Sequence, residues 1–267
     1  MRKITGLILM MFIIVSCKDK KSEETTPEET STEVTTEVET PTYPENLTQV
    51  FEAHGGLDKW KEMGTLEFSM EKPDGYEITT TDLDKRYSLI EMPNHTIGYD
   101  GLALWMKSKP GQEYEGDPKF YTGLMFYFYA MPFVLADDGI NYSEAEALKM
   151  DGKTYPGIKI SYDSGVGVSP DDEYILYYDA DTHQMAWLGY TVTYFSKEKA
   201  KEWHYIKYTN WQEVEGLLLP ETMTWYNVEN NQPTTVKNDV KFTNISLTTD
   251  NMDLRMYMMP EGGEEIL

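Results

Sequence analysis

The chain begins its folded part with an apolar pattern of helical period. Across residues 46–54, apolar side chains recur every three or four positions, which predicts an amphipathic helix. The positions that share this face are Leu47, Val50, Phe51 and His54. Gly55 and Gly56 predict the end of the helix, and a second short helical turn is predicted over 57–63.

From Thr65 onward the period changes to two, which predicts strands. In the first strand, Leu66, Phe68 and Met70 fall on one face. Asp-Gly or Glu-Gly pairs separate many of the later segments and predict tight hairpins. The further candidate strands are 76–82, 85–91, 95–100, 102–107, 144–150, 155–162, 173–179, 186–195, 203–214, 217–228 and 235–247. About a dozen strands in adjacent hairpins predict a mainly β (α+β) domain, an antiparallel meander that is closed or curled.

Two late strands carry bulky side chains on both faces. In 203–214, alternation places Trp203, Tyr205 and Trp211 on one face and Ile206 and Tyr208 on the other. A sheet with one face in water alternates apolar with polar residues instead. These strands therefore predict either strongly twisted corners or a concave side that encloses something.

A run of sixteen residues without a charge, 121–136, interrupts the strand pattern and contains six aromatic residues. A membrane-spanning helix needs about 20 apolar residues, so the run is too short to span. It predicts a helix over 122–130, a break at Pro132 and a loop over 133–135. An apolar helix between hairpins would plug the concave face of a curled sheet. It would be either a filled core or a lid over a pocket.

The first 44 residues have a different character. Residues 1–16 have the charged end and short apolar core of a signal peptide, and the four residues up to Cys17 resemble the lipobox of bacterial lipoproteins. Cys17 is therefore expected to be acylated and to anchor the protein in a membrane. Residues 18–44 are rich in Thr and Glu and predict a disordered tether. The folded domain is expected over 45–267.

Net charge and cysteine content exclude several classes of protein. A formal charge of −23 argues against nucleic-acid binding, which needs Lys and Arg against the phosphates. It also argues against docking on anionic lipid through a basic patch. The chain has a single Cys, which excludes an internal disulfide framework and any CxxC site.

Motifs for catalysis, metals or cofactors are missing from the sequence. The four histidines show no metalloprotease spacing, and there is no nucleophile elbow, phosphate loop or dinucleotide fingerprint. Asp179 to His183 is interpreted as a hairpin turn, since a calcium loop would need Gly at its sixth place and Glu at its twelfth. His54 is interpreted as a helix-terminal residue that bonds a free carbonyl and favours the helix dipole, with catalysis as the alternative. No catalytic residue, metal or cofactor is predicted.

Five short motifs, in order over residues 45–250, together resemble the LolA/LolB-like lipoprotein-carrier superfamily. They also resemble, more closely, a family of Bacteroidetes lipoproteins of unknown function. The motifs are Ala53-His54-Gly55-Gly56 with Trp60, Tyr99-Asp100-Gly101 before Leu104-Trp105 and Pro110, Met131 to Leu135, Tyr177-Tyr178-Asp179, and Glu215 to Pro220. The resemblance implies an incomplete barrel of about eleven antiparallel strands around helices, with a hydrophobic cavity for acyl chains. The carriers' lid-latching Arg has no assigned counterpart, since only Arg86 and Arg255 follow the signal.

Together these features predict a lipoprotein of the bacterial envelope, expected in the outer membrane, that binds an acyl chain or lipid-like ligand. Partners would be the membrane, through the lipid on Cys17, and that ligand. The residues expected to contact it are Phe68, Met70 and Trp105 from the sheet and Met125, Phe126, Phe128, Tyr129, Phe133 and Leu135 from the lid. Two alternatives stay open: a non-catalytic scaffold with a filled core, and a hydrolase with a His–Ser or His–carboxylate cluster.

Overall fold

The computed structural model describes residues 42–167, 169–196 and 202–267. The expected signal peptide, Cys17 and most of the tether therefore lie outside the described residues. Thr42–Leu267 forms a compact unit with its own internal contacts.

The helices of this unit are short, and the strands dominate. The helices are α1 Glu45–Ala53, α2 Leu57–Lys61, α3 Pro118–Tyr121 and α4 Leu124–Tyr129, with 3₁₀ helices at Phe133–Ala136 and Leu254–Met256. The first strands are β1 Thr65–Lys72, β2 Gly75–Asp82, β3 Ser88–Glu91, β4 His95–Tyr99 and β5 Leu104–Ser108. The later strands are β6 Ile140–Met150, β7 Lys153–Tyr162, β8 Tyr174–Tyr178, β9 Met185–Tyr190, β10 His204–Val214, β11 Leu217–Glu229, β12 Gln232–Thr248 and β13 Glu264–Glu265.

All these strands join one antiparallel sheet in the order β13-β5-β4-β3-β2-β1-β12-β11-β10-β9-β8-β7-β6. Strand β1 pairs with β12, which joins the first half of the chain to the last. The sheet is not closed, so the predicted curled antiparallel architecture is confirmed. All twelve predicted strands form, but the one predicted over 186–195 ends at Tyr190. Strand β13 was not predicted, because Glu264 and Glu265 carry no alternating pattern.

The main core lies between the inner face of this sheet and the helices. Leu66, Phe68 and Met70 alternate onto that face as predicted and are fully buried. Tyr129 from α4 completes an aromatic cluster, with its ring centre 4.4 Å from that of Phe68 and 4.5 Å from that of Phe242. Further along, Phe133 stacks on Trp60 at 4.8 Å. The segment predicted as a loop over 133–135 is a 3₁₀ helix, whose residues are buried in this core.

A second cluster on the outer face explains the strands that are bulky on both sides. The cluster consists of the buried residues Leu148, Tyr155, Tyr177, Trp187 and Tyr205, with Trp203 packed against it. Lys207 lies over the Trp187 ring at 5.2 Å and helps to shield it from water.

Trp211 was predicted on the same face of β10 as Trp203 and Tyr205, and this prediction is wrong. It packs on the inner side, with its ring 5.9 Å from that of Tyr208 and 4.6 Å from that of His54. Asn210, just before it, adopts a left-handed backbone with φ of 52°. Strict alternation assumes an extended backbone at every position, so it fails at this residue.

His54 ends α1 as a structural residue. Its imidazole is fully buried, and Nδ1 lies 2.7 Å from the Val50 carbonyl oxygen. The predicted carbonyl bond is therefore present. Burial lowers the pKa of His54 from 6.5 to about 4, so the ring is neutral at neutral pH and the predicted dipole interaction of a charged ring is wrong. The following Gly55 has φ of 103°, and a Cβ there would lie 2.3 Å from the Gly216 carbonyl oxygen.

Replacing Phe133 by alanine is expected to lower the free energy of unfolding by about 3–5 kcal/mol, because a buried ring stacked on Trp60 would leave a cavity. Denaturant unfolding of the unit Thr42–Leu267 measures this. The control is Tyr76→Ala, whose side chain is 55% exposed and whose loss should change stability by no more than about 0.5 kcal/mol. A loss below about 1 kcal/mol for Phe133→Ala would contradict this description of the core.

The His54 imidazole should make stability fall with acidity. In the unfolded chain the imidazole of His54 takes up a proton near pH 6.5, whereas in the folded chain it does so only near pH 4. Stability from this group is therefore complete above pH 6.5 and is lost as pH falls toward 4. Between pH 7 and pH 5 the loss should be about 2 kcal/mol. Denaturant unfolding at both pH values should show that His54→Leu lacks this component, and equal pH dependence in both proteins would refute the assignment.

Candidate functional site

A cavity of about 370 Å³ lies beneath α4 on the inner side of the sheet. Ligand pockets in proteins span roughly 300–1,000 Å³, so the cavity is large enough for a small ligand. From the sheet and its turns it is lined by Thr79, Thr81, Arg86, Ser88, Ile90, Ile140, Tyr162 and Tyr174. From the helices and loops it is lined by Phe120, Thr122, Gly123, Leu124, Met125, Phe126, Tyr127, Asp137, Asp138, Val166, Gly167, Ser169, Asp172 and Tyr194.

The roof of the cavity is the first part of the uncharged run. Gly123, with φ of 79°, separates α3 from α4 and redirects the chain. Leu124 to Tyr127 then line the cavity, whereas Phe128 and Tyr129 turn into the core, where the Tyr208 hydroxyl donates to the Phe128 carbonyl at 2.7 Å. The first part of the run, up to Tyr127, forms the roof of a cavity, as the lid alternative predicts. The later part, from Phe128, is packed in the core, as the filled-core alternative predicts.

The floor of the cavity is formed where β2 pairs with β3. Thr79 lies opposite Ile90, and Thr81 lies opposite Ser88, so all four side chains share the inner face. Thr79 and Thr81 are each 2% exposed, and their hydroxyl groups have no hydrogen-bond partner. An unpaired buried polar group costs about 1–3 kcal/mol, so these two positions reduce stability unless something bonds them.

Arg86 lies at one side of the cavity, in the turn between β2 and β3. Its Nη2 donates to Asp137 Oδ1 at 2.6 Å, and its guanidinium lies 5.1 Å from the centre of the Phe126 ring. Its Nη1 is buried without a hydrogen-bond partner. Partial burial raises the pKa of Asp137, and the Arg86 guanidinium offsets part of that rise. Arg86 thus joins the β2–β3 turn to α4 and to the segment that follows the 3₁₀ helix.

Tyrosines and one buried aspartate line the other side. The hydroxyl groups of Tyr127 and Tyr162 hydrogen-bond to each other, and the Tyr174 ring lies 5.4 Å from that of Tyr127. Burial raises the pKa of all three phenols, so they are neutral at physiological pH. Asp172 accepts a hydrogen bond from the Thr193 amide at 2.6 Å, and burial raises its pKa as well.

The structure places the predicted ligand-contacting residues in three different environments. Met125 and Phe126 line the cavity. The others on the inner face are packed in the main core, and these are Phe68, Met70, Phe128, Tyr129, Phe133 and Leu135.

Trp105 was expected to contact the ligand from the sheet, and this prediction is wrong. It pairs with Gly98, which pairs in turn with Leu89, and this row lies on the opposite face from Phe68 and Met70. A Cβ at Gly98 would lie 2.1 Å from the Trp105 ring, and Trp105 Nε1 donates to the Tyr257 carbonyl at 2.7 Å. Trp105 therefore belongs to a small outer cluster with Leu89 and Tyr257.

The polar residues of the cavity were missed from the sequence. Three consecutive threonines, 79–81, predict a strand, and nothing in them distinguishes an inner hydroxyl from an outer one. Arg86 is distinguished only as one of two arginines beyond the signal. One signal was available. Thr79 and Thr81 pair with Phe68 and Leu66 on the neighbouring strand, and residues that pair across an antiparallel sheet share a face, so both threonines face inward.

Other groups suited to chemistry lie away from the cavity. Within the described parts of the chain, no cluster of three His, Cys, Asp or Glu residues is arranged to hold a metal ion. Asp179 Oδ1 accepts the amides of Asp181 and Thr182, which forms the predicted hairpin turn between β8 and β9. His95 Nδ1 lies 3.0 Å from Ser108 Oγ, but neither residue lines the cavity. Among the helices of the described ranges, none has the length and apolar character to cross a membrane.

Comparisons with known proteins give one partial family match and several similar structures. The profile of a family of unknown function, DUF6503, matches residues 118–247, just under half of the chain. This match includes the roof of the cavity and the strands from β6 to β12. No curated protein matches the chain significantly.

Three similar solved structures cover most of this chain. A LolA superfamily protein from Nitrosomonas europaea is 10% identical with a TM-score of 0.44, over 76% of this chain and 95% of its own. A DUF1329 family protein from Desulfovibrio piger is 12% identical with a TM-score of 0.45, over 75% and 90%. A putative outer membrane lipoprotein-sorting protein domain from Vibrio parahaemolyticus is 9% identical with a TM-score of 0.34, over 74% and 94%. At this level of similarity, no superfamily, ligand or activity follows from these matches.

Proposed function

We propose that this protein is a non-catalytic binding protein that holds a hydrophobic or amphipathic ligand beneath α4. The observation that carries the proposal is the cavity of about 370 Å³ under the first part of the uncharged run. A scaffold with a filled core would pack tightly there. Further along, from Phe128 to Leu135, the run is packed in the main core.

The composition of the walls supports an apolar or lipid-like ligand. Leu124, Met125 and Phe126 form an apolar roof, and Ile90 and Ile140 add apolar surface from the sheet. Methionine repacks around ligands of different shape, because its side chain is unbranched and flexible. A cavity of this size suits a single acyl chain or a compact lipid-like molecule better than a whole membrane lipid.

The place of this activity is proposed from the N-terminal sequence. A signal peptide over 1–16 and an acylated Cys17 would attach the protein to a membrane of the bacterial envelope, expected to be the outer membrane. The acidic tether over 18–44 would hold the binding domain away from the lipid surface. An enzyme is less well supported, since the His95–Ser108 pair lies outside the cavity lining.

Filling the cavity should weaken binding. Ile140→Trp places a larger side chain at the cavity wall and is expected to lower the affinity for Nile red, an uncharged apolar dye, by about tenfold or more. Fluorescence titration of the unit Thr42–Leu267 measures this. The matched control is Val236→Trp on β12, where the side chain is 55% exposed and outside the cavity, and dye binding should be unchanged.

Native mass spectrometry of the same unit, purified without detergent, provides the independent test. Copurifying lipid that is present in the wild type and in Val236→Trp, and absent from a folded Ile140→Trp, would support the proposal. If no lipid copurifies and all three proteins bind the dye equally, the proposal is refuted and the alternative of a scaffold with a filled core is favoured.

Cys17→Ala should detach the full-length protein from membranes, because the anchoring lipid would have no attachment site. Expressed in a bacterium that processes lipoproteins, the wild type is expected in the detergent phase of a Triton X-114 partition and the variant in the aqueous phase. The matched control is Ser16→Ala, which keeps a small residue before Cys17 and should stay in the detergent phase. A variant that partitions like the wild type would refute lipidation at Cys17.

A further inference from the structure

Three residues that line the cavity carry polar atoms without a protein partner. The hydroxyl groups of Thr79 and Thr81 and the Nη1 of Arg86 are all buried and unpaired. All three residues line the same cavity beneath an apolar roof. A purely hydrocarbon ligand would leave them unpaired, since it offers no hydrogen-bond acceptor. Oxygen atoms on the ligand would satisfy the guanidinium donor and both hydroxyl groups.

The charges around the cavity restrict what carries those oxygen atoms. Arg86 is the only cationic side chain among the described lining residues, and its Nη2 already pairs with Asp137. Asp137, Asp138 and Asp172 supply three carboxyl groups. A carboxylate or phosphate on the ligand would enter an environment that is negative overall, and like charges in a partly desolvated site repel strongly. A cation would suit the charge but would leave Arg86 Nη1 and the hydroxyl groups without an acceptor.

We propose that the ligand is an uncharged amphiphile, with an apolar chain under α4 and hydroxyl or ester oxygen atoms that pair with Thr79, Thr81 and Arg86. This inference rests on the proposed binding function and specifies the chemical class of its ligand. Chain and oxygen atoms need to be near each other in the ligand, because the apolar roof and the polar floor enclose the same space. Acylglycerols and long-chain alcohols belong to this class, and free fatty acids do not.

Three probes with the same chain length separate the charge states: decanoylglycerol, decanoate and decyltrimethylammonium. Each competes with Nile red on the unit Thr42–Leu267 at neutral pH, below its micelle-forming concentration. Decanoylglycerol is expected to bind about tenfold or more tightly than either charged probe. Decanoate or the cation binding as tightly as the ester would overturn this inference while leaving a binding protein. If no probe and no dye binds, the proposed function itself fails.

Neighbouring threonines on β2 provide a matched pair of variants. Thr79→Val with Thr81→Val removes both unpaired hydroxyl groups and is expected to weaken decanoylglycerol binding about tenfold and to raise the melting temperature of the free protein. The control is Thr80→Val, which faces the outer side and donates to Glu67 Oε2 at 3.1 Å. It should lower the melting temperature and leave every affinity unchanged. Unchanged ester binding by the double variant would overturn the proposed pairing.

Asp138→Asn tests the charge argument at an exposed position of the lining, where folding should not be affected. Removing this negative charge is expected to raise the affinity for decanoate several-fold more than the affinity for decanoylglycerol. Asp58→Asn, an exposed position on α2 outside the lining, is the matched control and should change neither. An equal response of both variants would show that the lining charges do not select the ligand.

Discussion

The structure depends on burying the uncharged run 121–136 within a strongly acidic chain. The run is too short to cross a membrane and too apolar to stay in water, so the sheet curls around it. Strands β1 and β12 join the two halves of the chain at the middle of the sheet. The inner face then meets the run with Phe68 and Phe242, which pack on Tyr129. Burial of the run against the inner face of the open sheet forms the main core.

The burial of the run is uneven, and the cavity results from this unevenness. From Phe128 onward, aromatic side chains of β1, β12 and α2 fill the space beneath the run. Closer to its start, the run meets β2 and β3, where three of the four inward positions that line the cavity, Thr79, Thr81 and Ser88, are small and polar, and the fourth is Ile90. Small polar side chains reach less far from the sheet than Phe or Met. A gap of about 370 Å³ therefore persists under α4, and its floor is polar.

The outer face of the sheet is covered differently from the inner face. Its aromatic residues gather in two separate clusters, one around Trp187 and one around Trp105. Both shield apolar side chains that alternate outward from the strands. Trp105 covers Gly98, where any side chain would collide with the ring. An aromatic residue of this sheet thus belongs either to the inner core or to an outer cluster, and the face that it shares with Phe68 or does not share decides which.

The sequence by itself determined the elements: α1, the strands β1 to β12, the antiparallel pairing of neighbours and the helix within the uncharged run. These follow from local periodicity and from turn residues, which act over a few positions. The faces of Trp105 and Trp211, the division of the run into roof and core, and the meeting of Arg86 with Asp137 were decided only by the tertiary structure. Each depends on strand register, on one left-handed residue such as Asn210, or on partners far apart in the chain. Local pattern carries no information on those distances. The alternation could place Thr79 and Thr81 on the inner face with Phe68 and Leu66, but it could not show that a cavity lies above them.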